Sequence, residues 1–199
     1  MLKPRNVAIA GVGGQGIVLA SEIVAQAALL AGWDVKKNEI HGMAQRGGSV
    51  VSEIRFGREV FSPVIPDGEV DVLVALELLE ALRHTHRLRM DGVVISDKAR
   101  IRPAVRPPGA PDYPRDVAAR LRRSANTVIV VPAASLAEKA GSARAANTVL
   151  LGVLSRHLDL PIEAWEGALR ACLRPRLLEM NLRAFEFGRR RRGRRRKRR

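Results

Sequence analysis

The run Ile40-His41-Gly42-Met43-Ala44-Gln45-Arg46-Gly47-Gly48-Ser49 follows, by about one helix and one strand, the turn Gly11-Val12-Gly13-Gly14-Gln15-Gly16. The residue types of both stretches suit anion binding, with close packing of the glycine turn, and a structural salt bridge of Arg46 across a tight turn, as the alternatives. Paired glycines let backbone amides fold around a ligand or a neighbouring chain. Arg46 offers a planar fork matched to carboxylate or phosphate. In the turn, Gly11-x-Gly13-x-x-Gly16 follows a strand and opens a helix, so amides with partial positive charge aim at an anion. A nicotinamide or flavin dinucleotide site also expects an acidic residue at the end of the second strand. Asp34 comes too early, and Glu39 runs into Ile40-His41-Gly42. Close packing, or a different phosphate-bearing ligand, is therefore the favoured reading of the turn. Gln15, a polar amide in the first helical turn, points to a specific contact.

Other reactive residue types are fewer. His41 could transfer a proton, although a loop histidine is more often a hydrogen-bonded structural group. His84 and His86 stand at i and i+2 on a helix end, do not face each other, and form no metal pair. Glu77 and Glu80 lie at i and i+3 after a strand, and a solvated helix face accounts for them as well as a site does. Asn147, Thr148 and Asn181 are polar residues in apolar-patterned helices. They are read either as bonding an adjacent loop or partner, or as satisfied interior groups. There is no Cys/His metal spacing and no nucleophile elbow. The candidate contact set is Gly11, Gly13, Gly14, Gln15, Gly16, His41, Gln45, Arg46, Gly47, Gly48 and Asn147, facing coenzyme, substrate or a partner subunit. It holds no catalytic residue and no metal ligand, so it reads as one share of an active site.

The elements that position these residues alternate. Val7-Ala8-Ile9-Ala10 is wholly apolar and ends at glycine, the pattern of a strand buried on both faces. A helix is expected from Gln15 to Ala31, closed by Gly32. Strands are expected over Asp34–Ile40, Ser49–Phe56, Asp71–Leu76, Val93–Ser96 and Thr127–Val131, with a short helix through Glu77–Leu82. Arg102–Pro114 carries five prolines and reads as a surface excursion. After Ala133 the pattern turns helical, over Ser142–Leu158, Ile162–Leu173 and Arg176–Phe187, with Gly188 closing the last helix. Strands alternating with helices predict an α/β fold, a three-layer Rossmann-like sandwich with a mostly parallel sheet and a helical C-terminal third.

Length and charge narrow the class further. A chain of 199 residues supports one full core, assigned to 1–188. The single cysteine, Cys172, excludes an internal disulfide and cannot hold an iron–sulfur cluster, which takes about four thiolates. No signal-peptide pattern and no apolar run near the roughly 20 residues of a membrane span is present, so a soluble cytoplasmic protein is expected. Of the formal charge of +15, ten positive charges lie in the tail 189–199, which leaves +5 for the rest. The tail is expected to be disordered by self-repulsion. Without interleaved aromatics it is not suited to reading RNA or DNA, so nucleic acid is not the expected partner.

The turn Gly11–Gly16, followed by His41-Gly42-Met43-Ala44-Gln45-Arg46-Gly47-Gly48-Ser49-Val50, resembles the gamma-type domain of the 2-oxoacid:ferredoxin oxidoreductases. Within that group it is most similar to the beta-subunit branch of the indolepyruvate enzymes. The likeness continues through Val70–Glu77, Ala146–Gly152 and Asn181–Glu186, and so spans residues 5 to 188. The His-Gly-Met-x-Gln-Arg-Gly-Gly-Ser form separates this branch from pyruvate-type relatives, which are expected to carry Glu two residues before the arginine. Ala44 departs from an expected serine. The resemblance implies an assembly that oxidises arylpyruvates to acyl-CoA and CO2 and reduces ferredoxin. Thiamine diphosphate, Mg2+ and the [4Fe–4S] clusters would sit on a larger alpha subunit, with no cofactor on this chain. This chain would then shape the coenzyme A or substrate side of the site. Two other classes compete: a free-standing dinucleotide-dependent reductase, and a basic adaptor that binds nucleic acid through its tail.

Overall fold

Alternate residues of the central strands face two separate cores, and this builds three layers. The computed structural model describes residues 4–41, 48–102 and 113–190, with only the backbone of His41 among them. The strands are β1 (Arg5–Val12), β2 (Asp34–His41), β3 (Ser49–Gly57), β4 (Val70–Ala75), β5 (Leu88–Asp97) and β6 (Thr127–Val131). They form one sheet in the order β2-β3-β1-β4-β5-β6. β1, β4, β5 and β6 pair in parallel, whereas β3 runs antiparallel to both β1 and β2. Only β3 therefore opposes the other strands, which bears out a mostly parallel sheet.

On one face, Val7, Ile9, Ile54, Val72 and Val74 meet α1 (Ile17–Leu30) and the C-terminal helices. On the other, Ala8, Ala10, Leu73, Ala75 and Val94 pack beneath α2 (Leu78–Arg83) and α3 (Val117–Ser124). The period-2 alternation of a strand produces this division directly. The amphipathic helix α3 is an element that sequence patterning did not single out.

The C-terminal third is α4 (Ala133–Ala140), α5 (Ala146–Leu154), α6 (Ile162–Cys172) and α7 (Pro175–Arg190). Trp165 of α6 is fully buried against Phe185 of α7, with ring centroids 5.7 Å apart. Asp97, at the end of β5, accepts from the Ala133 amide at 3.0 Å and so caps α4. Gly188 does not end α7, which continues to Arg190. Its role is close approach. A Cβ at Gly188 would come within 2.0 Å of the Val149 carbonyl oxygen, and one at Gly152 equally near that of Phe185. The expected tail is helical at Arg189 and Arg190, and 191–199 lie outside the described residues.

β3 carries a buried charge. Glu53 is completely buried and ion-paired with Arg87, which itself donates to the Ile65 carbonyl at 3.2 Å. The Ile65 amide donates to Glu53 Oε2 at 3.3 Å, so this pair tethers the connection between β3 and β4 across the sheet face. No helix among the described residues is long and apolar enough to cross a membrane.

Candidate functional site

Two adjacent strands send the chain in opposite directions. β1 leads through α1 towards β2 on one side, and β4 leads through α2 towards β5 on the other. In an open α/β sheet the crevice between such strands, at their carboxyl ends, is the usual ligand position. Here the side chain of Gln15 spans it. Its Oε1 accepts from the Val12 amide at 2.8 Å, and its Nε2 donates to the Leu76 carbonyl at 2.8 Å. Any Cβ at Gly11 would lie 2.9 Å from Gln15 Oε1, so the glycine makes room for the amide. The specific contact expected of Gln15 is thus made inside the chain, between the ends of β1 and β4.

Gly16, at φ 81°, is the left-handed residue that starts α1. A Cβ there would lie 2.7 Å from Asn147 Nδ2, which donates to the Gly16 carbonyl at 3.3 Å. Behind it, Asn147 Oδ1 accepts from the Thr148 amide at 2.8 Å. The Thr148 hydroxyl donates to Asn181 Oδ1 at 2.7 Å, and Asn181 Nδ2 donates to the Leu177 carbonyl at 2.8 Å. The three polar residues of the C-terminal helices therefore form one buried chain of hydrogen bonds ending on the glycine turn. Both readings for Asn147 are found together: it is a buried, satisfied amide, and one of its bonds goes to the adjacent glycine turn.

The turn also meets the end of the second motif. The Gly13 amide donates to the Gly48 carbonyl at 3.0 Å. Gly14 is exposed at φ 98°, with no atom of the described residues within 4 Å of where a Cβ would stand. Among the described residues the first turn of α1 has no side-chain cap, and it contains no acidic residue. That leaves an open, amide-rich edge of the kind that favours an anion. Gly11, Gly13, Gly14, Gln15, Gly16, Gly48 and Asn147 are thus brought together. Gln45, Arg46 and Gly47 lie outside the described residues, while the His41 backbone pairs with Val50 at the end of β2.

Beside this turn stands a cluster of which the sequence reading weighed only Glu77 and Glu80 together. Glu77 and Glu80 are buried, with 1% and 2% of their surface exposed, so the solvated-face reading fails. Glu77 caps α2 by accepting from the Glu80 amide at 2.9 Å, and also accepts from the Tyr113 hydroxyl at 2.6 Å. Burial pushes the Tyr113 phenol well above its ordinary value, and the Glu77 bond adds to that. Glu80 accepts from the Ser49 hydroxyl at 2.5 Å and from Arg83 Nη1 at 2.5 Å, with His84 Nε2 at 3.6 Å. Burial raises the Glu80 carboxyl, but the contacts from His84, Ser49 and Arg83 outweigh it and hold it below its ordinary value. The one available signal was the spacing of Leu78, Leu79, Ala81 and Leu82, which leaves α2 little polar face.

Ser49, Glu80 and His84 do not constitute a nucleophilic triad. His84 Nε2 lies 3.3 Å from Ser49 Oγ, but the carboxylate bonds the serine, and His84 Nδ1 is buried with no partner among the described residues. A triad needs the carboxylate on Nδ1 to orient the imidazole as a base.

Across residues 6–191 the sequence matches the model of the pyruvate ferredoxin/flavodoxin oxidoreductase family. It is 41% identical over 187 residues to an indolepyruvate oxidoreductase subunit, IorB, of Archaeoglobus fulgidus, covering 92% of each chain. The chain belongs to the pyruvate ferredoxin/flavodoxin oxidoreductase family. A keto/oxoacid ferredoxin oxidoreductase gamma subunit from Geobacter sulfurreducens superposes with a TM-score of 0.69 at 26% identity, over 92% of this chain and 95% of that one. The same fold recurs in 2-oxoglutarate:ferredoxin oxidoreductase from Magnetococcus marinus, solved with 2-oxoglutarate, coenzyme A and succinyl-CoA bound, at a TM-score of 0.71 and 20% identity. There it matches 95% of this chain but 31% of the longer one. The resemblance read from the glycine and arginine motifs is therefore correct at the level of the family, and the chain is an oxidoreductase subunit. The dinucleotide reading loses its second contact for a topological reason. The strand beside β1 is the antiparallel β3, so the end of β2 is not next to the glycine turn.

Proposed function

We propose that this chain is the subunit without a cofactor in a cytoplasmic, thiamine diphosphate-dependent 2-oxoacid:ferredoxin oxidoreductase acting on indolepyruvate and other arylpyruvates. The assembly converts the 2-oxoacid and coenzyme A into acyl-CoA and CO2, and the electrons released pass to ferredoxin. The end-to-end likeness to an indolepyruvate oxidoreductase subunit, at 41% identity, carries this reading.

The donor set supports the division of labour. A [4Fe–4S] cluster takes about four thiolates, and Cys172 is alone in the sequence. Among the described residues no three His, Cys, Asp or Glu side chains converge on a metal position. Clusters, Mg2+ and thiamine diphosphate are accordingly assigned to a larger alpha subunit, which also supplies the route to ferredoxin. This chain contributes the open side of its glycine turn, the uncapped first turn of α1 and the Arg46 guanidinium. All three suit the diphosphate of coenzyme A.

The test uses the assembled enzyme. Arg46→Ala should raise KM for coenzyme A more than KM for arylpyruvate. Equal changes, or none, would remove coenzyme A from this surface. Affinity capture of the full chain from its native source should retain a larger cysteine-rich, thiamine-dependent subunit; recovery of the chain alone contradicts the assignment.

A further inference from the structure

The connection between β3 and β4, residues 58–69, is held by four charged side chains. Asp34 accepts from the Val60 amide at 2.8 Å, and Arg55 Nη1 donates to the carbonyls of Ser62 at 3.1 Å and Val64 at 2.9 Å. Glu53 and Arg87 fix the amide and the carbonyl of Ile65. A segment tied in this way has lost its freedom before any partner arrives, which favours tight binding. It nevertheless turns Phe61 and Val64 to water, 86% and 54% exposed. Helix α2 lies over β1, β4 and β5, whereas over β3 the same face is covered by this loop through Ile65.

Strand register locates the loop. Gly57, just before it, pairs with Asp34, the first residue of β2, and Phe56 pairs with Arg5, the first of β1. The loop leads into Val70, which pairs with Leu88, the first residue of β5. Met90, 87% exposed, lies two residues further on, and Leu29 and Leu30, each 52% exposed, close α1 just before β2. Among the described residues, every large apolar side chain that is more than half exposed therefore lies toward the amino ends of the parallel strands. The glycine turn is at their carboxyl ends. Single exposed apolar residues are ordinary. A phenylalanine and a methionine gathered with three aliphatic side chains at one end of a sheet mark an interface. β2 and β5 are four strand spacings apart, about 19 Å, a width that suits a protein surface of about 800 Å² and not a small ligand.

Given the separate alpha subunit proposed for this enzyme, on which the inference rests, we infer that this end of the sheet docks that subunit, with Phe61 and Met90 as anchors. The facing surface is apolar at its centre, with pockets for an aromatic ring and a thioether. Relative length favours this occupant over a second copy. VorA, a ketoisovalerate oxidoreductase subunit of Methanothermobacter thermautotrophicus, is 31% identical over 92% of this chain, and the match makes up 35% of VorA. There the matching region is fused to a larger body. IorB, matched over 92% of its length, has no room for that body, so here it comes as a second polypeptide. β1 has eight residues and is about 26 Å long, so a body larger than this chain can be seated at the amino ends and still reach the glycine turn.

The full chain is titrated by analytical ultracentrifugation against the larger subunit of indolepyruvate oxidoreductase from the same organism, purified with its thiamine diphosphate. Wild type is compared with Phe61→Ala, Met90→Ala and, as control, Leu177→Ala, an exposed apolar site on α7. Phe61→Ala should raise Kd roughly thirtyfold and Met90→Ala roughly tenfold, as for anchors at the centre of an interface. Leu177→Ala should leave Kd unchanged. The unfolding temperature of each isolated variant should stay within about 2 °C of wild type, because neither anchor is packed in the free chain. An unchanged Kd in Phe61→Ala and Met90→Ala overturns the inference and leaves the assembly standing. So does Leu177→Ala weakening the complex as much as they do. A wild-type chain that binds no such subunit removes the assembly reading and the inference with it. If that chain then sediments as a dimer that Phe61→Ala breaks, a second copy is the occupant instead.

Discussion

Gln15 sits where a family contact residue is expected, yet both ends of its amide are used inside the chain. Gln15→Ala removes an acceptor from the Val12 amide and a donor from the Leu76 carbonyl. Each lost partner costs about 1–3 kcal/mol, with the lower end applying where water can replace it. Both bonds are half-buried, so the sum should be about 2 kcal/mol. For a chain of this length that corresponds to a Tm lower by about 4–8 °C. Gln15→Glu is the sharper variant. It keeps an acceptor for Val12 but sets a carboxylate oxygen against the Leu76 carbonyl, where the wild type holds an N–H at 2.8 Å. It should therefore be less stable than Gln15→Ala at neutral pH, despite being the closer isostere. Thermal unfolding of the full chain, followed by circular dichroism, measures both. A Gln15→Ala protein within about 0.5 kcal/mol of wild type, coupled to a raised KM for coenzyme A, would refute the clamp and make Gln15 a ligand contact instead.

Three further outcomes follow from the packing. Gly188→Ala should destabilise by about 3 kcal/mol or more, because its Cβ meets a backbone carbonyl that no rotamer change can move; an unchanged urea midpoint would show that α5 and α7 separate freely. Arg87→Met should cost about 3–5 kcal/mol by leaving Glu53 buried without its charge partner. The double variant with Glu53→Leu should recover much of that loss in a double-mutant cycle. The folded Glu80 carboxyl titrates below its ordinary value of 4.5, so its ionised form adds stability above that pH and loses it as pH falls through the lower folded value. The advantage of wild type over Glu80→Gln in urea unfolding should accordingly be full at neutral pH and vanish in acid. An advantage that grows in acid would mean that the carboxyl is raised instead.

Local pattern was enough for the order of the six strands and for most of the helices, though not for α3 or α4. Wholly apolar Val7–Ala10 announced a buried strand and the β-branched run Thr127–Val131 a further strand, glycine marked the start and end of α1, and the two glycine-rich stretches marked the family. These are properties of a few neighbouring residues, and strand and helix periods are set locally. Tertiary approach decided the rest. Gln15 finds Leu76 across 61 residues, Asn147 finds Gly16 across 131, and Ser49 finds Glu80 across 31. No periodicity encodes such partners. The same holds for Gly188, which reads as a helix end until α5 is laid against it, and for Glu77 and Glu80, whose burial depends on where Tyr113 and Ser49 arrive. The antiparallel course of β3 was equally out of reach, because a strand buried on both faces has the same side-chain pattern in either direction. A hydrogen bond or a close helix crossing is a relation between segments, and the sequence of either segment alone leaves the other undetermined.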